Sequence, residues 1–169
     1  MSAPPLTPLA TAVLRVGRTP ERVLAIAADE GEAALFLARE FPAARVRGLD
    51  RSRHRVRAAA ERIGLDPEGR VAFKAGAAGS LPYPDAFFDL VAQVDGRPDT
   101  AEIARVLRPG GYLILARTQG SRGRRGLASR SPWRRLSRRG IALLESGEAG
   151  DGSFSVGRRD EGGPGPFAD

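Results

Sequence analysis

The sequence predicts an α/β fold: a doubly wound, mostly parallel sheet with helices on both faces and a C-terminal antiparallel hairpin at one edge. Short apolar runs read as strands buried on both faces, and they alternate with segments whose apolar residues recur at helical spacing. Near the C-terminus, two strand-like runs flank a glycine-rich stretch, which suits a hairpin. At 169 residues the chain is long enough for one well-buried core and too short for two ordinary domains. We therefore expect an N-terminal segment over residues 1–18, a main domain over 19–159 and a disordered tail over 160–169.

The elements follow in order. Pro8 to Val16 is the helical part of the N-terminal segment. Val23 to Ala27 is an apolar run entering a tight turn, and from Glu32 onward Ala34, Leu35, Leu37, Ala38 and Phe41 keep helical spacing until Pro42 stops the pattern. Arg45 to Leu49 is a second short strand ending at Asp50. Ser52 caps a helix with Val56, Ala59, Ala60 and Ile63 on its apolar side and Gly64 at its end. Val71 to Ala75, Phe88 to Val94 and Tyr112 to Ala116 are the third to fifth strands. A short helix over Thr100 to Leu107 precedes the fifth, separated from it by Pro109, Gly110 and Gly111. Ile141 to Glu145 and Ser153 to Val156 form the hairpin.

Composition removes several chemistries. The chain has no cysteine and a single histidine, His54, so disulfides, a thiolate nucleophile, a histidine metal cluster and a serine–histidine triad are all excluded, and no metal is expected. Neither a leader pattern nor a long apolar run is read, which gives a cytoplasmic expectation. The net charge of +7 is almost entirely arginine, since Lys74 is the sole lysine. Eight arginines and no acid fall within Ser121 to Gly140, so without that stretch the remainder carries −1.

Five segments in fixed order, RVLAIAADEG, RGLDRS, GAAGSLPYPDAFFDLV, EIARVLRPGGYLIL and the terminal hairpin, resemble the class I S-adenosylmethionine-dependent methyltransferases, in particular the small-molecule branch related to ubiquinone-biosynthesis enzymes. The resemblance covers Thr19 to Arg159 and implies a Rossmann-like fold, S-adenosylmethionine as cofactor and a small-molecule methyl acceptor. It implies cofactor contacts at Ala27, Asp29, Gly31, Asp50, Arg51, Ala77, Ala78 and Gln93, with Asp50 holding the ribose hydroxyls. The chain departs from the family pattern at several of these positions. Ala25 stands in place of an acid, Ala27 and Asp29 in place of two glycines, and Ala77 in place of the acid that meets the adenine. Each missing partner weakens binding without abolishing it. Asp29 and Glu30 argue against a dinucleotide, whose pyrophosphate they would repel. They read either as acids favoured at a helix N-terminus or as a shifted replacement for the acid lost at Ala25.

Asp95, just past the fourth strand at the mouth of the expected crevice, is the candidate general base, with helix capping as its structural alternative. Asp85 and Asp89 could be taken for a carboxylate pair, but the stronger reading is structural: Pro82 and Pro84 fix an extended loop, Asp85 turns it, and Phe87, Phe88 and Leu90 feed the core. His54 reads as an exposed first-turn residue, and Tyr83 and Tyr112 as packing. Arg122, Arg124, Arg125, Arg134 and Arg135, with Trp133 among them, suit nucleic-acid phosphates. Against this, Trp133 and Leu136 sit three apart, as a helix anchored on the sheet requires. The sequence thus leaves three readings open: a methyltransferase, an inactive methyltransferase-like protein with a binding or regulatory role, and a nucleic-acid-associated module.

Overall fold

The computed structural model describes residues 6–27, 29–64, 66, 68–118 and 131–162. Helices α1 (Pro8–Val13), α2 (Glu32–Glu40), α3 (Arg53–Ile63), α4 (Thr100–Val106) and α5 (Trp133–Ser137) surround seven strands. These are β1 (Arg22–Ala27), β2 (Arg45–Asp50), β3 (Val71–Ala75), β4 (Phe88–Val94), β5 (Leu107–Arg117), β6 (Ile141–Ala149) and β7 (Gly152–Arg159). They form one sheet in the order β3-β2-β1-β4-β5-β7-β6, parallel from β1 to β5 and antiparallel where β7 joins β5 and β6. The doubly wound sheet with its terminal hairpin is therefore as the sequence predicts.

Alternation along β1 shows why both faces must be covered. Val23 and Ala25 enter one core with Leu37 of α2 and Val13 of α1, while Leu24 and Ile26 enter the other with Ile103 of α4 and Leu136 of α5. The chain winds from β1 outward to β3 with helices on the first face, then returns to β4 and winds the other way. The crevice between the C-terminal ends of β1 and β4 is the point of reversal, where folds of this kind hold ligands.

Three elements differ from the sequence reading. Strand β5 begins at Leu107, which pairs with Phe88, so Pro109 to Gly111 lie in an irregular stretch inside the strand rather than before it. There is little room for anything but glycine at Gly111, where an added Cβ would come within 2.8 Å of Leu107 Cδ1 and 3.0 Å of the Asp89 carbonyl oxygen. The hairpin strands run to Ala149 and from Gly152, leaving Gly150 and Asp151 as the turn; Gly147, read as loop, instead lies under the Phe154 ring. Helix α1 ends at Val13.

Loop Leu81 to Phe87 is clamped to α4 by Arg105, which donates to the carbonyls of Leu81 and Tyr83 and to Asp85 and Glu102. That guanidinium and the Leu81 N–H hold the Glu102 carboxyl below its usual range. Asp89, in β4, accepts from the N–H groups of Glu21 and Arg22, so both Asp85 and Asp89 are spoken for structurally. At the far end, the Asp160 N–H donates to the Gly140 carbonyl and Glu161 pairs with Arg18 at 3.0 Å; residues 163–169 of the expected tail lie outside the described residues.

Candidate functional site

After β1 the chain turns through Glu30 (φ 55°) and Gly31 (φ 91°), two successive left-handed residues of which only one is glycine. At Gly31 an added Cβ would lie 2.8 Å from both Ala59 Cβ and the Phe73 ring, so the glycine lets α3 and β3 approach the turn closely. Asp29 caps α2: the Gly31 N–H donates to Oδ1 at 3.1 Å and the Ala33 N–H to Oδ2 at 2.9 Å. Burial pushes the Asp29 carboxyl above its usual value, against the pull of those two N–H groups. The space enclosed by this turn, Ala25, Gly48 and Asp50 is about 10 Å³, no more than one water would fill.

The end of β2 is arranged differently. Asp50, its side chain 10% exposed, accepts from the Ser52 N–H on Oδ1 at 2.8 Å and from Arg55 Nε on Oδ2 at 2.9 Å. Ser52 caps α3 by accepting from the Arg55 N–H at 3.3 Å, which turns the Arg55 side chain back toward Asp50. Arg55, which the sequence reading did not single out, is the side chain that pairs with Asp50. Its signal is its spacing, three after the cap and five after the acid, which puts both on one side of the first helical turn.

A cleft of about 220 Å³ opens at the point of reversal, and Ala27, Asp50, Arg51, Ala78, Gln93 and Asp95 all line it. Of the sequence-predicted residues, Ala77 is exposed and lies off this wall, while Asp29 and Gly31 border the small space beside it. Gln93 is buried; its Nε2 donates to the Asp95 carbonyl at 3.3 Å, and its Oε1 has no partner among the described residues. Asp95 is left-handed (φ 58°) and ties β4 to the end of β5, its two carboxylate oxygens accepting from the Thr118 N–H at 2.9 Å and the Thr118 hydroxyl at 2.7 Å.

A larger cavity of about 580 Å³ shares Gln93, Asp95 and Gly96 with the cleft and extends over the hairpin to Trp133. Trp133 donates from Nε1 to Ser155 Oγ at 3.1 Å and packs over Gly157, and Leu136 is fully buried. This is the sheet-anchored helix, with Arg134 and Arg135 exposed on its outer side. Arg122, Arg124 and Arg125 lie outside the described residues. His54 is exposed, and Tyr83 packs edge-on against Phe88 with centroids 4.9 Å apart.

Residues 23–111, more than half of the chain, match a family model described as a methyltransferase domain. The chain is 37% identical over 110 residues to a fatty-acid O-methyltransferase of Mycolicibacterium smegmatis, a match covering 56% of this chain and 36% of that protein. It is 34% identical over 113 residues to a demethylmenaquinone methyltransferase of Deinococcus radiodurans, covering 63% of this chain and 46% of that one. The chain thus spans less than half the length of these curated relatives. Among solved structures, the [4+2]-cyclase SpnF aligns with a TM-score of 0.69 at 20% identity over 91% of this chain and 80% of its own, a likeness of fold.

Proposed function

From the premise that the chain belongs to the methyltransferase domain family, we propose that it transfers a methyl group from S-adenosylmethionine to a small-molecule acceptor. One observation carries the reading: Asp50 stands at the cleft with one carboxylate oxygen held only by a side chain that can swing away. The residues fit the nucleoside half of the cofactor, with Asp50 for the ribose hydroxyls and Arg51 and Ala78 beside it. The turn after β1 has Ala25 where the family pattern has an acid, and Ala27 and Asp29 where it has glycines, so it offers the amino-acid half fewer contacts. When bound, the cofactor supplies an electrophilic methyl group. Asp50 accepts the ribose hydroxyls once Arg55 releases Oδ2, and Gln93 and Asp95 form the wall where cleft and cavity meet. Catalysis then rests on proximity and orientation, with little covalent help from the protein.

The altered residues of the turn favour a second reading, a methyltransferase-like chain kept for binding or regulation. The relatives' printed activities and the shared fold with a cyclase are compatible with either, because a fold hosts more than one chemistry. Calorimetric titration with S-adenosylmethionine and S-adenosylhomocysteine, repeated on Asp50→Ala, separates the two. Micromolar binding that the variant loses supports the enzyme; no binding up to millimolar ligand leaves the second reading standing.

A further inference from the structure

The register of the hairpin orders the wall of the larger cavity. Directly paired residues of antiparallel strands present their side chains to one face, and here Leu115 and Ser146 both pair with Ser155, while Arg117 pairs with Ser153. Trp133 bonds to Ser155, so this is the face that α5 covers. Along it the chemistry changes. Trp133 and Leu143 meet at Gly157, Leu115 follows, and Arg117 and Ser153 lie one step beyond, at the C-terminal end of β5. The cavity is apolar at one end and basic at the other, and its volume of about 580 Å³ lies in the range of small-molecule sites.

Arg117 is exposed, and no ion pair or hydrogen bond engages its side chain among the described residues. The acids near it are committed. Asp95 turns both oxygens to Thr118, and Glu148, which pairs with Ser153 from β6, is engaged elsewhere. Among the described residues, Arg51, Arg55, Arg97 and Arg117 line the cavity and the adjoining cleft together with two acids, Asp50 and Asp95. That excess of cations gives the joined space a positive field. Its open polar groups are also donors: Arg117 has N–H groups only, and the hydroxyls of Ser146 and Ser153 can donate. A carboxylate, which only accepts, complements such a set, and the guanidinium fork matches its two oxygens.

We propose that this cavity binds a carboxylate with an aromatic or aliphatic body, the carboxylate on Arg117 and Ser153 and the body on Leu115, Leu143 and the Trp133 ring. Trp133 gives its N–H to Ser155, so what it offers the ligand is its ring. Leu115 and Arg117 stand two strand residues apart, about 7 Å, which calls for a short spacer between body and charge. On the methyl-transfer reading, on which only its role as acceptor rests, this molecule is the methyl acceptor and the carboxylate is its anchor. Gln93, Asp95 and Gly96 border both spaces, so a molecule anchored here lies beside the cleft.

Trp133 is the chain's single tryptophan and lines the cavity, so its fluorescence reads occupancy without cofactor. The probes share one body and differ in charge: 3-phenylpropanoate, 3-phenylpropan-1-ol and 3-phenylpropylammonium. The carboxylate is expected to bind roughly five- to thirtyfold more tightly than the alcohol, a charge-assisted contact discounted for exposure, and the ammonium more weakly than both. Arg117→Gln should bring the carboxylate to the affinity of the alcohol and leave the alcohol unchanged, while Arg117→Lys should keep part of the preference. Arg134→Gln with Arg135→Gln removes more charge from the outer side of α5 and should leave the preference intact. Equal affinities in the native chain, a preference that survives in Arg117→Gln or vanishes in the double variant, or no saturable change with any probe would overturn the proposal. The native comparison needs no variant, so a misfolded Arg117→Gln does not protect it. Failure here with intact S-adenosylhomocysteine binding leaves the function standing, whereas carboxylate binding without S-adenosylhomocysteine binding keeps the site and removes the name of acceptor.

Discussion

The turn after β1 and the junction after β2 each place an aspartate ahead of a helix at the C-terminal edge of the sheet. Asp29 gives both oxygens to backbone N–H groups, those of Gly31 just before α2 and Ala33 in its first turn, and the latter cannot leave while α2 stands. Asp50 gives one oxygen to the Ser52 N–H and the other to Arg55, a surface side chain 41% exposed that is free to exchange. One residue type in one topological position is held by backbone alone in the first case and half by an exchangeable side chain in the second, which on the proposed reading frees it for a ligand. The difference lies in whether the partners can move.

The largest expected effect breaks the first region. Gly31→Ala forces a Cβ into a left-handed turn (φ 91°) and to within 2.8 Å of Ala59 and Phe73. Strain and overpacking together should cost about 2–4 kcal/mol of stability, read as a lowered midpoint in chemical denaturation. A loss under about 0.5 kcal/mol would mean that α3 yields easily and that the turn is not rigid. Breaking the second region instead should spare the fold. Asp50→Ala is expected to weaken S-adenosylhomocysteine about 10- to 100-fold, the worth of charge-assisted hydrogen bonds of about 1.5–3 kcal/mol. A large loss of stability with it would make Asp50 a cap like Asp29 and erase the contrast.

The strands, the helices between them and the position of Asp50 were legible because each is written locally, as apolar runs, helical spacing and a strand-end acid. The grouping of Ala27, Asp50, Arg51, Ala78, Gln93 and Asp95 around one cleft was legible only through the resemblance of the segments, since it depends on how β1, β2 and β4 lie side by side. Arg55 was not read, because its importance comes from the rotation of α3 that the Ser52 cap sets. The extra length of β6 was hidden by Gly147, which looks like loop in the sequence and is tolerated in the strand because Phe154 covers it. Asp95 suggested a base by position; only the structure shows its carboxylate holding Thr118.

A smaller effect of opposite sign sharpens the comparison. If Arg55 competes with the ribose for Asp50, Arg55→Ala should tighten S-adenosylhomocysteine by about two- to tenfold, since exposed ion pairs are weak. Raising the salt concentration toward about 1 M should narrow the gap between the native chain and the variant by screening the pair. Weaker binding in Arg55→Ala would show that Arg55 holds the ligand itself and is not displaced by it.

The smallest effect concerns Asp29, and its sign is informative. Burial raises the Asp29 carboxyl above its ordinary value, so the folded chain favours the protonated form. A group shifted upward contributes stability that is complete below its unfolded value and is lost as pH rises through its folded value. Asp29→Asn removes this titration while keeping a side-chain acceptor for one helix N–H. The stability of the native chain relative to Asp29→Asn should therefore be greatest near about pH 3 and decline as pH rises from the ordinary aspartate range to about pH 7, by about 1 kcal/mol or less. Denaturation of both proteins at the two pH values measures it. A relative stability that instead grows with pH would mean that the N–H groups of Gly31 and Ala33 outweigh burial. The two aspartates would then differ only in the mobility of their partners.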